Sequence, residues 1–291
     1  MYLGSVELGG TKMVAAIGNE KGEIVDRFVI PTLDPKETLD QLLSYFSDKQ
    51  ISCLGLGSFG PVDLNRESDT YGYITTTPKS GWENTDVIGH FRSLNVPIGF
   101  DTDVNAACLG EVKYGAGKGL NNVIYGTVGT GIGFGVYLNG SLLHGLMHPE
   151  TGHMLISRHE TDRDFTGPCP YHDSCLETLA SGPSVEKRWG KPGTELYEDN
   201  KVWELEAYYL GQAICNCIMC YSPERIVLGG GIMHVPGLIE LVRKETLKNL
   251  NSYIKKKEIL EKIDEYIVLP ELGDDAGIIG AMELGRLEME R

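Results

Sequence analysis

Three glycine-rich turns constrain this chain more than any other feature. Gly9-Gly10-Thr11-Lys12 follows the apolar run YLGSVEL, an alternating run from Gly129 to Gly135 follows NVIYGTV, and Gly229-Gly230-Gly231 follows RIVL. Glycine at a strand end lets a ligand approach the backbone closely. The turns are remote from one another in the chain, so no single loop cradles an anion. The fold must bring distant strand ends to one face, as α/β sheets do at the mouths of their strands. The sequence between them alternates accordingly. YLGSVEL, MVAAIGN and IVDRFVI read as strands, and Pro35 opens a helix to about Gln50 with Leu39, Leu42, Leu43 and Phe46 at helical spacing. ISCLGLGS and PIGFD read as strands, VNAACLGEVKYG as a helix, YIVLP as the last strand, and a closing helix starts at about Asp274. Strand–strand–strand–helix opens the chain and roughly recurs, which suggests duplication, although the halves do not align residue by residue. An α/β unit to about residue 115 and a second over 116–273 are expected, with a ligand cleft between them.

Other phosphate-binding designs are excluded. No G-x-x-x-x-G-K-[ST] occurs. Gly55-Leu56-Gly57-Ser58-Phe59-Gly60 matches G-x-G-x-x-G, but Pro61-Val62-Asp63-Leu64-Asn65 is turn chemistry where a dinucleotide fold needs a helix. The chain carries 26 Lys and Arg against 41 Asp and Glu, a net charge of −15. Such a surface repels phosphate backbones and anionic lipid, so neither nucleic acid nor membrane is an expected partner. No signal peptide is visible at MYLGSVELGG and no run approaches 18 apolar residues, so a cytoplasmic protein is expected. Seven cysteines fit a reducing compartment, and Cys215, Cys217 and Cys220 read as small core hydrophobes on an apolar helix.

Two segments carry candidate chemistry. Asp101-Thr102-Asp103-Val104-Asn105 lies between a strand end and a helix start. Helix capping explains one of the two aspartates. A second carboxylate there faces the same surface as the glycine turns. It could take a proton from a hydroxyl nucleophile, a contribution of about 10²–10⁴ in rate. Cys169-x₂-His172-x₂-Cys175, with His153 upstream, offers four N/S donors and no open position, the pattern of structural zinc. His148 or His159 could replace His153, whereas His90, His144 and His234 show no partner pattern. Glu150 and Glu177 flank the cluster, so a metal fixing His153 and Cys175 would aim both carboxylates at a polyhydroxylated substrate.

Taken together and in order, these residues resemble the ROK family of sugar kinases and sugar-responsive repressors. Leu8 to Lys12 resembles its first phosphate motif, Gly57 to Asp63 its turn near the sugar, and Asp101 to Ala107 its catalytic segment. Gly129 to Gly133 resembles the second phosphate motif, Glu150 to His153 the sugar and zinc element, and Gly229 to Gly231 the adenosine motif. Gly167 to His172, Cys175 to Glu177 and Leu179 to Ser184 look most like the bacterial fructokinase branch. The resemblance implies an actin-like ATPase fold: two ribonuclease-H-like domains around a cleft, with the helix over 274–291 packing back on the first. It implies a homodimer that phosphorylates a hexose, most like fructose, using ATP and magnesium. Asp103 would be the base, and Gly60, Pro61, Asp103, Glu150, His153 and Glu177 would contact the sugar. Gly9, Gly10, Thr11, Lys12, Thr130, Gly131, Pro183, Gly229, Gly230 and Gly231 would hold the nucleotide. His153, Cys169, His172 and Cys175 would hold zinc. Two departures stand out. Glu7 replaces an aspartate common in the family on the magnesium side, and Thr102 replaces an asparagine whose amide would reach the sugar. The repressor branch carries an N-terminal DNA-binding extension, whereas here the first strand starts at residue 2, so a repressor is not expected. A non-catalytic sugar sensor on the same scaffold is the remaining alternative, and a zinc hydrolase is disfavoured because four protein ligands leave no site for water.

Overall fold

The structure is a computed structural model and describes residues 1–291. In chain order its first half contains β1 (Tyr2–Leu8), β2 (Lys12–Asn19), β3 (Ile24–Pro31), α1 (Pro35–Phe46), β4 (Leu54–Ser58), β5 (Tyr73–Ile74), β6 (Thr85–Asp86), α2 (Val87–Phe91), β7 (Ile98–Thr102) and α3 (Asp103–Tyr114). The second half contains β8 (Val123–Val128), β9 (Ile132–Leu138), β10 (Ser141–Leu142), α4 (Leu176–Ala180), α5 (Gly182–Trp189), α6 (Asn200–Tyr221), β11 (Arg225–Gly229), α7 (Leu238–Leu250), α8 (Lys257–Leu260), α9 (Ile263–Tyr266), β12 (Ile267–Val268) and α10 (Ala276–Glu288). No helix is long and apolar enough to cross a membrane.

Local chemistry sets the boundaries. Asp34 caps α1 by accepting from the Glu37 N–H, with Pro35 in the first turn. The helix stops at Phe46, short of the expected Gln50, where the chain enters a Ser47–Gln50 turn. The strand expected over YIVLP shrinks to two residues, because Tyr266 completes α9. Gly229–Gly231 leads into a short 3-10 turn at Gly231–His234 before α7 begins.

The strands form two five-stranded sheets, ordered β3-β2-β1-β4-β7 and β10-β9-β8-β11-β12. In each, the first three strands are antiparallel and the last three, counting the shared central strand, are parallel. The duplication suggested by the sequence is thus explicit in the topology. Each sheet has its own hydrophobic core. Val6, Leu56, Phe46 and Trp82 anchor the first, and Phe134, Tyr209, Ile214 and Leu228 the second. The helices α3 and α10 pack against each other between the sheets. Gly280 makes this approach feasible: a Cβ there would lie 1.6 Å from the Ala106 carbonyl oxygen. The helix α10 also lies on β1, β4 and β7, so the end of the chain covers the first sheet. Of the three cysteines on α6, Cys215 and Cys217 are buried as expected. Cys220 is exposed, because it lies on the outer face of the last turn.

Candidate active site

The site is built where β7 runs into α3. Thr102 caps that helix, its hydroxyl accepting from the Asn105 N–H at 3.1 Å. The capping role expected of Asp101 or Asp103 therefore belongs to Thr102. Thr102 is buried and its hydroxyl is engaged. Asp101 is buried too, and accepts from the Thr102 N–H and from the Asn105 side-chain amide at 2.7 Å. That leaves Asp103 as the first residue of the helix, its carboxylate bonded only to the Val104 N–H. Burial pushes the Asp103 pKa up to about 6, against the lowering effect of those backbone donors. Glu7, at the end of β1, is pushed up to about 7 by burial and then by the Asp103 charge, with Lys12 opposing. Two desolvated acids thus face one another's field, near the N-terminus of α10, where Gly277 leaves room for the Glu7 carboxyl.

Gly60, Glu150, His153 and Glu177 form one continuous wall. A Cβ on Gly60 would lie 3.6 Å from Glu150 Oε1, which brings the Gly60-Pro61 turn against Glu150. Glu150 accepts the His153 N–H through its carbonyl oxygen. His153 Nε2 lies 4.0 Å from Glu177 Oε1, and the other oxygen of Glu177 accepts the Ile132 N–H at 3.0 Å, beside Gly131. Burial in the cleft wall raises the Glu150 pKa; His153 lowers it, and Asp103 and Glu177 raise it further. The Glu150 and Asp103 charges therefore share one space.

The second glycine turn and Gly229–Gly231 meet. A Cβ on Gly129 would sit 3.8 Å from the Gly231 nitrogen, and the Gly182 N–H donates to Gly129 O at 2.7 Å, placing Pro183 and Gly230 beside Thr130 and Gly131. The first turn is held by its own lobe. Thr32 donates to the carbonyls of Gly9 and Thr11, and the Lys79 ammonium donates to Gly10 O at 2.6 Å. Gly10 and Thr11 are left exposed at its tip, with Lys12. Lys79 was not legible as a site residue, since nothing near it in the sequence marks its reach across 69 positions.

His153, Cys169, His172 and Cys175 converge, with four ligand atoms all within 4.8 Å of one another. Cys169 Sγ lies 3.8 Å from Nδ1 of both His153 and His172, and Cys175 Sγ lies 3.6 Å from His153 Nδ1. Tetrahedral zinc, with bonds of about 2.3 Å to sulfur and about 2.0–2.1 Å to nitrogen, separates such donors by about 3.6 Å. The cluster fits zinc in number, type and spacing. His153 turns Nδ1 to the cysteines and Nε2 to Glu177, so one ring touches both the cluster and the wall.

The other histidines differ from expectation. His148 and His159 do not replace His153. His148 is buried and accepts from the Val62 N–H, while His159 caps its own turn at Thr161. His144, expected to lack a partner, bonds Asp101 Oδ2 at 2.8 Å, and His234 faces Asp274 at 3.2 Å. The signal for His144 and His148 lay in their closeness to Glu150. Their partners, 43 and 86 residues away, could not be read from it.

Two like-ordered sheets, joined by a helix pair and with their glycine turns at the strand mouths, define the actin-like ATPase class built from two ribonuclease-H-like units. Within that class the chain belongs to the ROK family, whose family profile matches residues 3–287. It is 44% identical over 276 residues to a fructokinase of Lactococcus lactis subsp. cremoris, covering 94% of this chain and 93% of that protein. It is 42% identical to a fructokinase of Pediococcus pentosaceus, covering 100% and 99%. Its fold matches the ROK hexokinase of Thermus thermophilus with a TM-score of 0.81 at 26% identity, over 100% of this chain and 99% of that one.

Proposed function

We propose that this protein is an ATP-dependent sugar kinase that converts fructose to fructose 6-phosphate, with Asp103 as the catalytic base. What supports the chemistry is the Asp103 carboxylate at the β7–α3 junction, raised to about pKa 6 and near enough to Glu150 for its charge to push that group up as well. The fructokinase relatives, alike over nearly the whole chain, carry the choice of sugar.

In-line phosphoryl transfer needs positioning and charge stabilisation more than covalent chemistry. Gly60, Pro61, Glu150, His153 and Glu177 hold the sugar hydroxyls. Asp103 accepts the proton as the hydroxyl oxygen attacks the γ-phosphorus and ADP leaves. A carboxylate of pKa about 6 is a stronger base than a solvated one, yet still ionised at neutral pH. The backbone of Gly9, Gly10, Thr11 and Lys12 and that of Thr130 and Gly131 cradle the phosphates, while Pro183, Gly229, Gly230 and Gly231 border the adenosine. Magnesium suits the desolvated acid Glu7, which leaves Asp103 to take the proton. Glu7 stands nearest the first phosphate turn and would face the ion, which neutralises charge on the transferring group when bound. Zinc on His153, Cys169, His172 and Cys175 would fix the direction of the sugar wall. The lobes are taken as 1–115 with 274–291, and 116–273, closing on the substrates. A cytoplasmic homodimer completes the reading.

A coupled assay of ADP release with fructose, mannose, glucose and N-acetylhexosamines tests it. Fructose is expected to exceed the others in kcat/KM by about 10-fold or more, the discrimination that well-placed hydrogen bonds supply. ADP release with another hexose only would move the substrate. Sugar binding without any ADP release would convert the reading to a sensor.

A further inference from the structure

The Glu150 carboxylate and the Gly60-Pro61-Val62 turn come from different lobes, yet one buried side chain touches both. His148 is 3% exposed. Its Nε2 accepts the Val62 N–H at 3.1 Å, directly after Gly60-Pro61. A ring nitrogen that accepts carries no proton, so the neutral ring holds its hydrogen on Nδ1. Nδ1 lies 3.4 Å from Glu150 Oε1. The ring edge also closes on Gly60, where a Cβ would lie 3.4 Å from His148 Cε1. Burial holds the His148 pKa below the ordinary imidazole value, in keeping with a neutral ring.

A second contact braces the same segment. His144 bonds the buried Asp101, whose other oxygen holds the Asn105 amide on the helix that begins at Asp103. Between the two histidines Leu146 is fully exposed, so the segment is held at its ends and not by packing at its tip.

We infer that His148 is a positioning residue for sugar recognition, fixing the Gly60-Pro61-Val62 turn of one lobe and the Glu150 carboxylate of the other in a single register. It touches no reacting atom. One of its nitrogens is bonded to Val62 and the other stands beside the Glu150 carboxylate. The inference rests on the kinase reading above. A Glu150 released from the ring would sample other rotamers, and the hydroxyls it holds would lose their orientation before transfer.

The test is steady-state kinetics of wild type, His148→Ala and His148→Gln, with fructose and ATP varied separately. In His148→Ala the fructose KM should rise about 10-fold or more, with the ATP KM within about two-fold of wild type. Glutamine keeps an acceptor near the Nε2 position, so His148→Gln should recover part of the fructose affinity. It also serves as the readout should the alanine variant fail to fold. Amide exchange at Val62, protected in wild type, should accelerate in His148→Ala. A folded His148→Ala with a fructose KM within two-fold of wild type overturns the role, as does a glutamine variant no better than alanine. A wild type inert toward every hexose sinks the kinase reading itself, and the positioning role falls with it; wild-type activity keeps the two failures apart.

Discussion

In the first sheet β1 and β2 are joined by the turn at Gly9-Gly10-Thr11, and in the second β8 and β9 are joined by the turn at Gly129-Thr130-Gly131. These are the same position in two sheets of the same order. The next parallel strand ends at Ser58, just before Gly60-Pro61, in the first lobe and at Gly229, opening Gly229–Gly231, in the second, again equivalent places. The lobes diverge after the third strand. Only Thr32, Leu33 and Asp34 separate β3 from α1, whereas residues 143–175 separate β10 from α4. That insertion carries His144, His148, Glu150 and the Cys/His cluster. It also adds the buried Ile156 to the core of the second lobe. The like order of the sheets thus gives two equivalent glycine turns, and the insertion in one lobe gives the row of Glu150, His153 and the Cys/His cluster that the first lobe lacks. Equivalent strand ends became different sites because of what was threaded between them.

The largest expected effect breaks the symmetry outright. Asp103→Asn should still bind sugar but lose about 10²-fold or more in kcat, measured by ADP release. Near-normal turnover would take Asp103 out of the role. Next is the helix pair of the first lobe. Gly280→Ala drives a Cβ into the Ala106 carbonyl and should lower stability by about 3 kcal/mol in denaturant unfolding. A neutral result would mean that α3 and α10 can part without cost. Third, the insertion should depend on its metal. Chelation, or Cys169→Ser, should remove one zinc per chain, seen by elemental analysis. The melting temperature should fall by about 5 °C or more, taking the loss of a structural site as a few kcal/mol. Unchanged melting after zinc removal would make the cluster dispensable to the second lobe.

The fourth test concerns pH. The ordinary aspartate pKa is about 3.9, and Asp103 is raised to about 6 in the folded protein. The base must be ionised, so kcat/KM should fall about tenfold per pH unit below about 6. Stability carries the opposite sign. A raised folded pKa contributes stability at low pH that is lost as pH rises through about 6. Substrate-free Asp103→Asn should therefore gain melting temperature over wild type from pH 5 to pH 8, and a constant difference would contradict the burial of this carboxyl. The smallest effect compares the lobes directly. Gly10 and Gly231 each have open space where a Cβ would go. Gly10→Ala and Gly231→Ala should each change stability by less than about 0.5 kcal/mol while raising the ATP KM. Unchanged ATP kinetics in either would remove that turn from the nucleotide site.

Local pattern by itself determined much of this protein. Apolar runs ending in glycine marked β1, β8 and β11. Helical spacing marked α1, C-x₂-H-x₂-C marked the cluster, and the acidic strand–helix junction marked Asp103. Each of these signals spans a few residues, which is the range over which backbone periodicity and ligand spacing act. Tertiary structure alone decided that Thr102, and neither aspartate, caps α3, because that depends on which side chain the strand end turns inward. It also decided that His144 reaches Asp101, that His148 reaches Val62, and that Gly280 lies against Ala106. Those contacts join residues far apart in the chain, and no local preference of the chain encodes which atoms then meet.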